Sequence, residues 1–340
     1  MNVIWLEECR EDDAPLVGGK AHALGTLLRQ GFHVPPGFVI TTQAYREHFQ
    51  RHGLANQIEQ LLEDSASYQA QLRASAAIGQ LFEASQCSSH LEEEVLARYA
   101  ALPGDSDTPV AVRSSATAED LTDASFAGQQ ESYLWILGGQ QLLRHVRRCW
   151  ASLFTPQAIA YRAHLKKPAL DVAMGVVVQQ MVSAETAGVM LTLDPINGDR
   201  STIIIEASYG LGVAVVNGEV TPDRMYVDKE SLEIRSRSIG TKTVAYRFDP
   251  SAQGTRLQEL PAALHMQPSL TDDEVLQLAR LGRQMEQAMG RPQDMEWAIG
   301  PGQRAAREVF LLQARPETVW SQKQSTGSNS LNEGAGPRHV

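Results

Sequence analysis

The chain of 340 residues predicts an α+β protein built as two lobes, and three observations carry that expectation. Helical spacing of apolar residues dominates residues 1–181, with short apolar runs in between. Across residues 182–320 β-rich runs separated by Gly, Asp and Pro take over. One amphipathic helix and two alternating strands close that second stretch. From Ser321 onward the chain is Ser, Gly, Asn and Gln with few apolar residues, so residues 321–340 are expected to be a disordered tail.

In the first lobe, Lys20 to Gln30 carries Ala23, Leu24, Leu27 and Leu28 at helical spacing, and Gly31 follows as a C-cap. Val34-Pro35-Pro36-Gly37 is a turn, and Phe38-Val39-Ile40 a short buried strand. Thr42 is the expected cap of the next helix, whose Tyr45 and Phe49 share a face. Residues 51–88 are polar and helical in tendency. Ser89-His90-Leu91-Glu92 reads as a capping box ahead of Leu91, Val95, Leu96 and Tyr99. Pro103-Gly104-Asp105 is a loop, and Pro109 to Val112 a strand.

After residue 170 the texture changes: Met174 to Val182 closes the first lobe as a strand, and in the second lobe Gly188 to Thr192 and Ser201 to Ala207 are strands. Asn217-Gly218, between Ala214-Val215-Val216 and Glu219-Val220, is a hairpin-turn signal. Thr271-Asp272-Asp273-Glu274 is a second capping box, and the helix after it carries Val275, Leu278, Leu281 and Met285 and stops near Gly290. Asp294 to Ile299 alternates, with Asp294 and Glu296 on one face and Met295, Trp297 and Ile299 on the other. Val309 to Arg315 alternates too, with Gln313 and Arg315 on one face and Phe310, Leu312 and Ala314 on the other. The short Gly- and Pro-containing connection makes the two an antiparallel hairpin. One register sets Glu296 opposite Gln313 and Asp294 opposite Arg315.

Forty acidic against thirty basic residues give a net charge of −10, which argues against general nucleic-acid or anionic-membrane binding. Hydrophobic residues at 43 % and charged residues at 21 % exclude wholesale disorder. There is no apolar run long enough for a membrane span, and the acidic N-terminus is unlike a signal peptide. Cys9, Cys87 and Cys149 match neither a zinc spacing nor a disulfide framework, so a cytoplasmic protein with reduced thiols is expected.

Three constellations carry chemistry. The hairpin face sets two carboxylates, an amide and a guanidinium beside an apolar core. Carboxylates with substrate phosphates hold Mg2+, and Arg suits phosphate oxygens; a solvated strand face with an Asp–Arg pair fits the same pattern. Val110 to Thr117 is a strand that delivers Arg113 and then three hydroxyls, and Ser125 to Ser132 follows with Gly128. Small residues there let backbone N–H groups approach an anion, though a polar surface loop reads the same way. Leu16-Val17-Gly18-Gly19-Lys20 leads glycines and a Lys into a helix start, an anion-site pattern that lacks the Walker A spacing.

Together these stretches resemble the N-terminal nucleotide-binding part of the phosphoenolpyruvate synthase, pyruvate phosphate dikinase and rifampicin phosphotransferase family. The resemblance rests on Val17-Gly18-Gly19-Lys20, Val34 to Phe38, Val112 to Gln130, Gly188 to Thr192, Tyr209-Gly210-Leu211-Gly212, Asp294 to Trp297 and Gln313-Ala314-Arg315-Pro316. It implies a two-lobed ATP-grasp fold with ATP and Mg2+. By motif, Lys20 and Arg113 resemble the cations on the triphosphate. Gly128 and Ser132 fall in the loop over the phosphates, and Gln179 on the adenine-side strand. Glu296 and Gln313, with Asp294 beside them, resemble the metal and phosphate ligands, and Arg315 the arginine of the Gln-x-Arg-Pro motif. Val213, where relatives often carry Glu, and Gln180, where some carry Lys, depart from the pattern on the substrate side.

In that family a mobile domain carries the histidine that accepts the phosphoryl group, within a Thr-Ser-His-Ala-like signature. None of the nine histidines here sits in it. His90 is followed by Leu91 and then three carboxylates that repel a phosphoryl group, and His22 reads as a helix-face residue. The resemblance therefore implies the ATP half of a split enzyme, as in phenylphosphate synthase, with the phosphohistidine on a partner chain. A self-sufficient small-molecule kinase and a nucleotide-binding regulator are the alternatives.

Overall fold

The computed structural model describes residues 1–104, 107–117, 131–164, 170, 172–249, 251, 254–301, 307–317 and 320. The chain divides into two compact units, one of Met1–Val182 with Phe248–Arg256 and another of Ser183–Arg247 with Leu257–Val340. It is a mixed α and β protein.

The first unit holds a five-stranded sheet from β1 (Val3–Trp5), β2 (Gly37–Ile40), β3 (Val110–Ala116), β4 (Ser132–Ile136) and β5 (Met174–Gln180), in the order β1-β2-β5-β3-β4. Every pairing in it is antiparallel. One face carries the core, where Phe38, Ile40, Val110, Val112, Val176 and Val178 pack with Tyr45, Ile58, Phe82, Leu91 and Trp150 from surrounding helices. The helix Gly19–Arg29 buries Ala21, Leu24 and Leu27, and its end is closed by Gly31 at φ +80°, whose amide reaches the Leu28 carbonyl.

Two caps differ from expectation by one residue. Thr41, not Thr42, caps the helix Thr42–Arg51, and the Thr42 hydroxyl instead donates to the Pro15 carbonyl. Ser88, not Ser89, caps the helix Ser89–Ala100 by accepting from the Leu91 amide. In each pair of adjacent hydroxyl residues the one with extended backbone takes the cap, because a cap residue must lie outside the helical region.

The second unit is built on β6 (Thr186–Leu191), β7 (Thr202–Tyr209), β8 (Asp223–Asp228) and β9 (Ile234–Ser238). The two-stranded sheet of β10 (Val244–Asp249) and β11 (Gly254–Glu259) is divided, since Phe248–Arg256 counts with the first unit. The second unit goes on with β12 (Gln293–Pro301) and β13 (Arg307–Pro316). Six strands form one antiparallel sheet in the order β13-β12-β6-β7-β8-β9. The helix Asp272–Met289, opened by the Thr271–Glu274 capping box and closed by Gly290 at φ +67°, packs on β6, β7, β8 and β12. It buries Val275, Leu278 and Met285.

The Asn217-Gly218 hairpin is corrected. Val213–Val216 is a short helix, and Gly218 at φ +69° ends it while the Glu219 amide reaches back to the Ala214 carbonyl. A type I′ turn and a helix C-terminus both need a left-handed residue, so the dipeptide alone does not separate them.

A charged pair unforeseen from the sequence lies inside this unit. Lys242 and Asp223 are fully buried, and the ammonium donates to Asp223 and to the Gly240 carbonyl. Asp223 also accepts from the Gly240 amide and from the amide and hydroxyl of Ser269, so its carboxylate is paired and hydrogen-bonded on both oxygens.

Candidate functional site

Two charged surfaces stand out, one in each unit. In the first unit, alternation along β3 puts Val110, Val112 and Ala116 into the core and Arg113 and Ser115 on the opposite face. The start of the helix Gly19–Arg29 lies against that face. Lys20 donates to the Ser114 carbonyl at 3.2 Å, and the Ala21 amide donates to the Ser115 hydroxyl at 3.1 Å. The approach is close enough to exclude side chains. A Cβ on Gly18 would fall 2.0 Å from the Ser115 carbonyl oxygen, and Gly18 has φ +79°. Gly175 is the register partner of Ser115 on β5, and a Cβ there would fall 2.5 Å from the Val17 carbonyl oxygen. Lys20 and half-buried Arg113 therefore belong to one surface.

Ser132 is exposed on β4 directly opposite Arg113. Gln179 is buried, and its amide donates to the Pro35 carbonyl at 3.3 Å, tying β5 to the Val34–Gly37 turn. Gly128, with the rest of its loop, lies outside the described residues. The hydroxyls after Arg113 have partners within the protein. Ser114 donates to the Glu131 carbonyl, Ser115 takes the Ala21 amide, and Thr117 donates to the Ala173 carbonyl. They sit within or just after a central strand, where buried hydroxyls must find protein partners. On the core side, burial pushes the Cys149 thiol well above its ordinary value, Glu131 adds to this, and the Lys20 charge opposes it.

In the second unit, the expected register holds: Glu296 faces Gln313 and Asp294 faces Arg315. Arg315 donates through Nε and one terminal nitrogen to Asp294 Oδ2, at 2.9 and 2.7 Å. The Asp–Arg pair is therefore present beside the Glu296–Gln313 pair. The expected faces of β13 need one correction. A bulge between Glu296 and Trp297 leaves Leu312 as an extra residue, so Trp297 faces Leu311 and Ile299 faces Val309. Val309, Leu311 and Ala314 are buried, while Phe310 and Leu312 are not on their face.

The pairing also extends this face. Directly opposed residues of an antiparallel ladder share a face, which gives one row of Gln313, Glu296, Val189, Glu206 and Arg224. The next row is Arg315, Asp294, Leu191, Ile204 and Tyr226. Glu206 and Arg224, joined at 2.7 Å, were missed in the sequence. Alternation along β7 was the available signal, but the run Ile203-Ile204-Ile205 hid it. Burial works against the Arg224 charge, yet the bond and charge of Glu206 outweigh it and raise the guanidinium's pKa.

Among the described residues no group of three His, Cys, Asp or Glu side chains gathers as a metal cage. Glu296 beside Gln313 is an oxygen-donor pair of the kind that holds Mg2+ when substrate phosphates complete the shell. Among the described residues, several histidines have partners within their own unit. His22, His52, His145 and His265 bond backbone carbonyls, His48 bonds Ser85, and His90 lies 3.8 Å from Glu94. Cys9, Cys87 and Cys149 are free and buried. Among the described residues no helix is long and apolar enough to cross a membrane.

A cationic surface on one unit and a carboxylate–amide pair on the other suit a nucleotide-binding protein, and comparison with known families agrees. Residues 14–334 match the family described as pyruvate phosphate dikinase, AMP/ATP-binding domain, and the chain belongs to that family. It is 40 % identical to the phosphoenolpyruvate synthase of Aeropyrum pernix over 95 % of this chain. It is 41 % identical to the probable phosphoenolpyruvate synthase of Staphylothermus marinus over 94 %, and 35 % identical to the phosphoenolpyruvate synthase of Pyrococcus furiosus over 93 %. The chain spans 41–43 % of the length of these three relatives.

Proposed function

We propose that this chain is the ATP-binding part of a phosphoenolpyruvate synthase-like phosphotransferase, with the two lobes of an ATP-grasp fold. With water as co-reactant it cleaves ATP to AMP and free phosphate and passes the other phosphoryl group to a histidine on a partner chain, in the cytoplasm. Lys20 and Arg113 hold the negative charge of the triphosphate, with Ser132 opposite Arg113, and Gly128 serves the same phosphates by motif. Gln179 supports the adenine-side strand. Glu296 and Gln313 hold Mg2+, which neutralises phosphate charge when bound. Asp294 orients Arg315, and Arg315 takes phosphate oxygens. Fixed cations aimed at the phosphates stabilise the charge that shifts when the bond between the α- and β-phosphorus groups breaks.

The observation that carries this reading is the matched register, Glu296 to Gln313 and Asp294 to Arg315, in a chain of the AMP/ATP-binding family. Among the described residues, His22, His48, His52, His90, His145 and His265 have local partners, which fits an acceptor on another chain. The buried thiols fit a reducing compartment, and burial with Asp13 beside it pushes Cys9 up to about 12.

AMP formation from ATP tests the proposal, measured with the chain alone and with a histidine-carrier partner. Little AMP alone, and AMP with an acid-labile, base-stable label on the partner, is the expected result. Rapid phosphorylation of a small acceptor by the chain alone replaces the partner with a self-sufficient kinase. Glu296→Gln is expected to lower AMP formation about 100-fold or more with the fold intact. Arg113→Ala is expected to keep the melting temperature without ATP and lose the shift that ATP gives.

A further inference from the structure

We infer that Ser115 is a positioning residue for the phosphate-binding cations, acting through Lys20; this rests on the nucleotide reading above. Four observations converge on it. Its side chain is fully buried near the end of β3, one residue before the last. Its hydroxyl oxygen accepts the Ala21 amide from a helix start 94 residues away. The N-cap of that helix is Gly18, which has no side chain with which to cap, so Ser115 supplies the oxygen from a different element. Lys20 stands one residue before Ala21 and reaches the carbonyl of the adjacent Ser114.

The same strand carries Arg113 two residues earlier on the Ser115 face. Ser115 therefore sets the register between the helix that carries Lys20 and the strand that carries Arg113. Gly18 and Gly175 allow this contact by leaving the space a Cβ would fill. The hydroxyl does not touch phosphate. It determines where the ammonium stands relative to the guanidinium, a spacing that two-cation recognition of one anion requires.

A double-mutant cycle on the full chain tests this, with ATP and MgCl2 as the probe and the ATP-dependent melting shift and ATP affinity as readouts. Ser115→Ala is expected to weaken ATP binding about tenfold in the wild-type background, the loss of roughly one hydrogen bond. In the Lys20→Ala background the same change is expected to have less than about a twofold effect, because the group it positions is gone. Equal weakening in both backgrounds makes Ser115 a general packing residue and overturns the inference, as does no weakening in either. If Ser115→Ala does not fold, Ser115→Cys keeps the volume but replaces a strong acceptor by a weak one, and the cycle is run with it. A wild-type chain without any ATP-dependent shift removes the nucleotide reading and this inference together. A wild type that binds ATP with an additive cycle removes only this inference.

Discussion

The hairpin of the second unit and the cation surface of the first are assembled over different ranges of sequence. Asp294, Glu296, Gln313 and Arg315 lie on two consecutive strands, and their pairing follows from one short connection and an alternating pattern. Lys20 and Ser114 meet across 94 residues through a carbonyl contact, and their neighbours Ala21 and Ser115 meet through a hydroxyl. The first arrangement needs only a register. The second needs a glycine with no room for a side chain and a buried serine in the right rotamer. A site built on consecutive strands tolerates change locally, whereas one built across distant elements depends on every contact that holds them together.

The largest expected effect tests whether the hairpin's sheet also depends on distant contacts. Asp223→Ala leaves the Lys242 ammonium buried without its partner, and should cost about 3–5 kcal/mol in denaturant unfolding. A cost below about 1 kcal/mol would mean that the hydrogen bonds around Gly240 and Ser269 reorganise easily, and that the second unit is as locally built as its hairpin.

A smaller effect compares glycines across the two regions. Gly18→Ala puts a Cβ onto the Ser115 carbonyl at an unfavourable φ, and about 2–3 kcal/mol of destabilisation with a lost ATP shift is expected. Gly290→Ala, also at positive φ but with open space around it, should cost about 1 kcal/mol and leave the ATP shift in place. Equal costs would remove the contrast between a crowded backbone approach and an ordinary helix end.

The smallest effect concerns the Asp294–Arg315 pair, which is half in solvent. Arg315→Lys should change stability by no more than about 1 kcal/mol, since exposed ion pairs contribute little. It should still weaken ATP binding, because Lys cannot reproduce the forked geometry. A large stability loss with ATP affinity unchanged would make the pair a structural one.

Particular residues show how far the sequence could be read. Met295, Trp297 and Ile299 are buried as their alternation requires, and the Thr271 box opens its helix, because both signals are complete within a few residues. The beta-bulge at Leu312 was not legible, since one extra residue leaves no mark on composition and yet puts Val309 and Leu311, before it, on the opposite face from the one the alternation gave. The cap at Thr41 rather than Thr42 turned on backbone angles that two equivalent hydroxyl residues do not reveal. The carriage of Glu206 and Arg224 on the Glu296 face came only from strand order, which brings together segments that the chain separates.

The sequence by itself determined the elements whose signals are local: the periodic helices, the alternating hairpin with its register at Asp294 and Glu296, and the motifs that mark the family. Tertiary structure alone decided the use of the hydroxyls after Arg113, the need for glycine at 18 and 175, and the burial of Lys242 with Asp223. The physical reason is that a polar group's role is set by what it meets when water is removed. That partner lies on another element, at a distance along the chain that periodicity does not report.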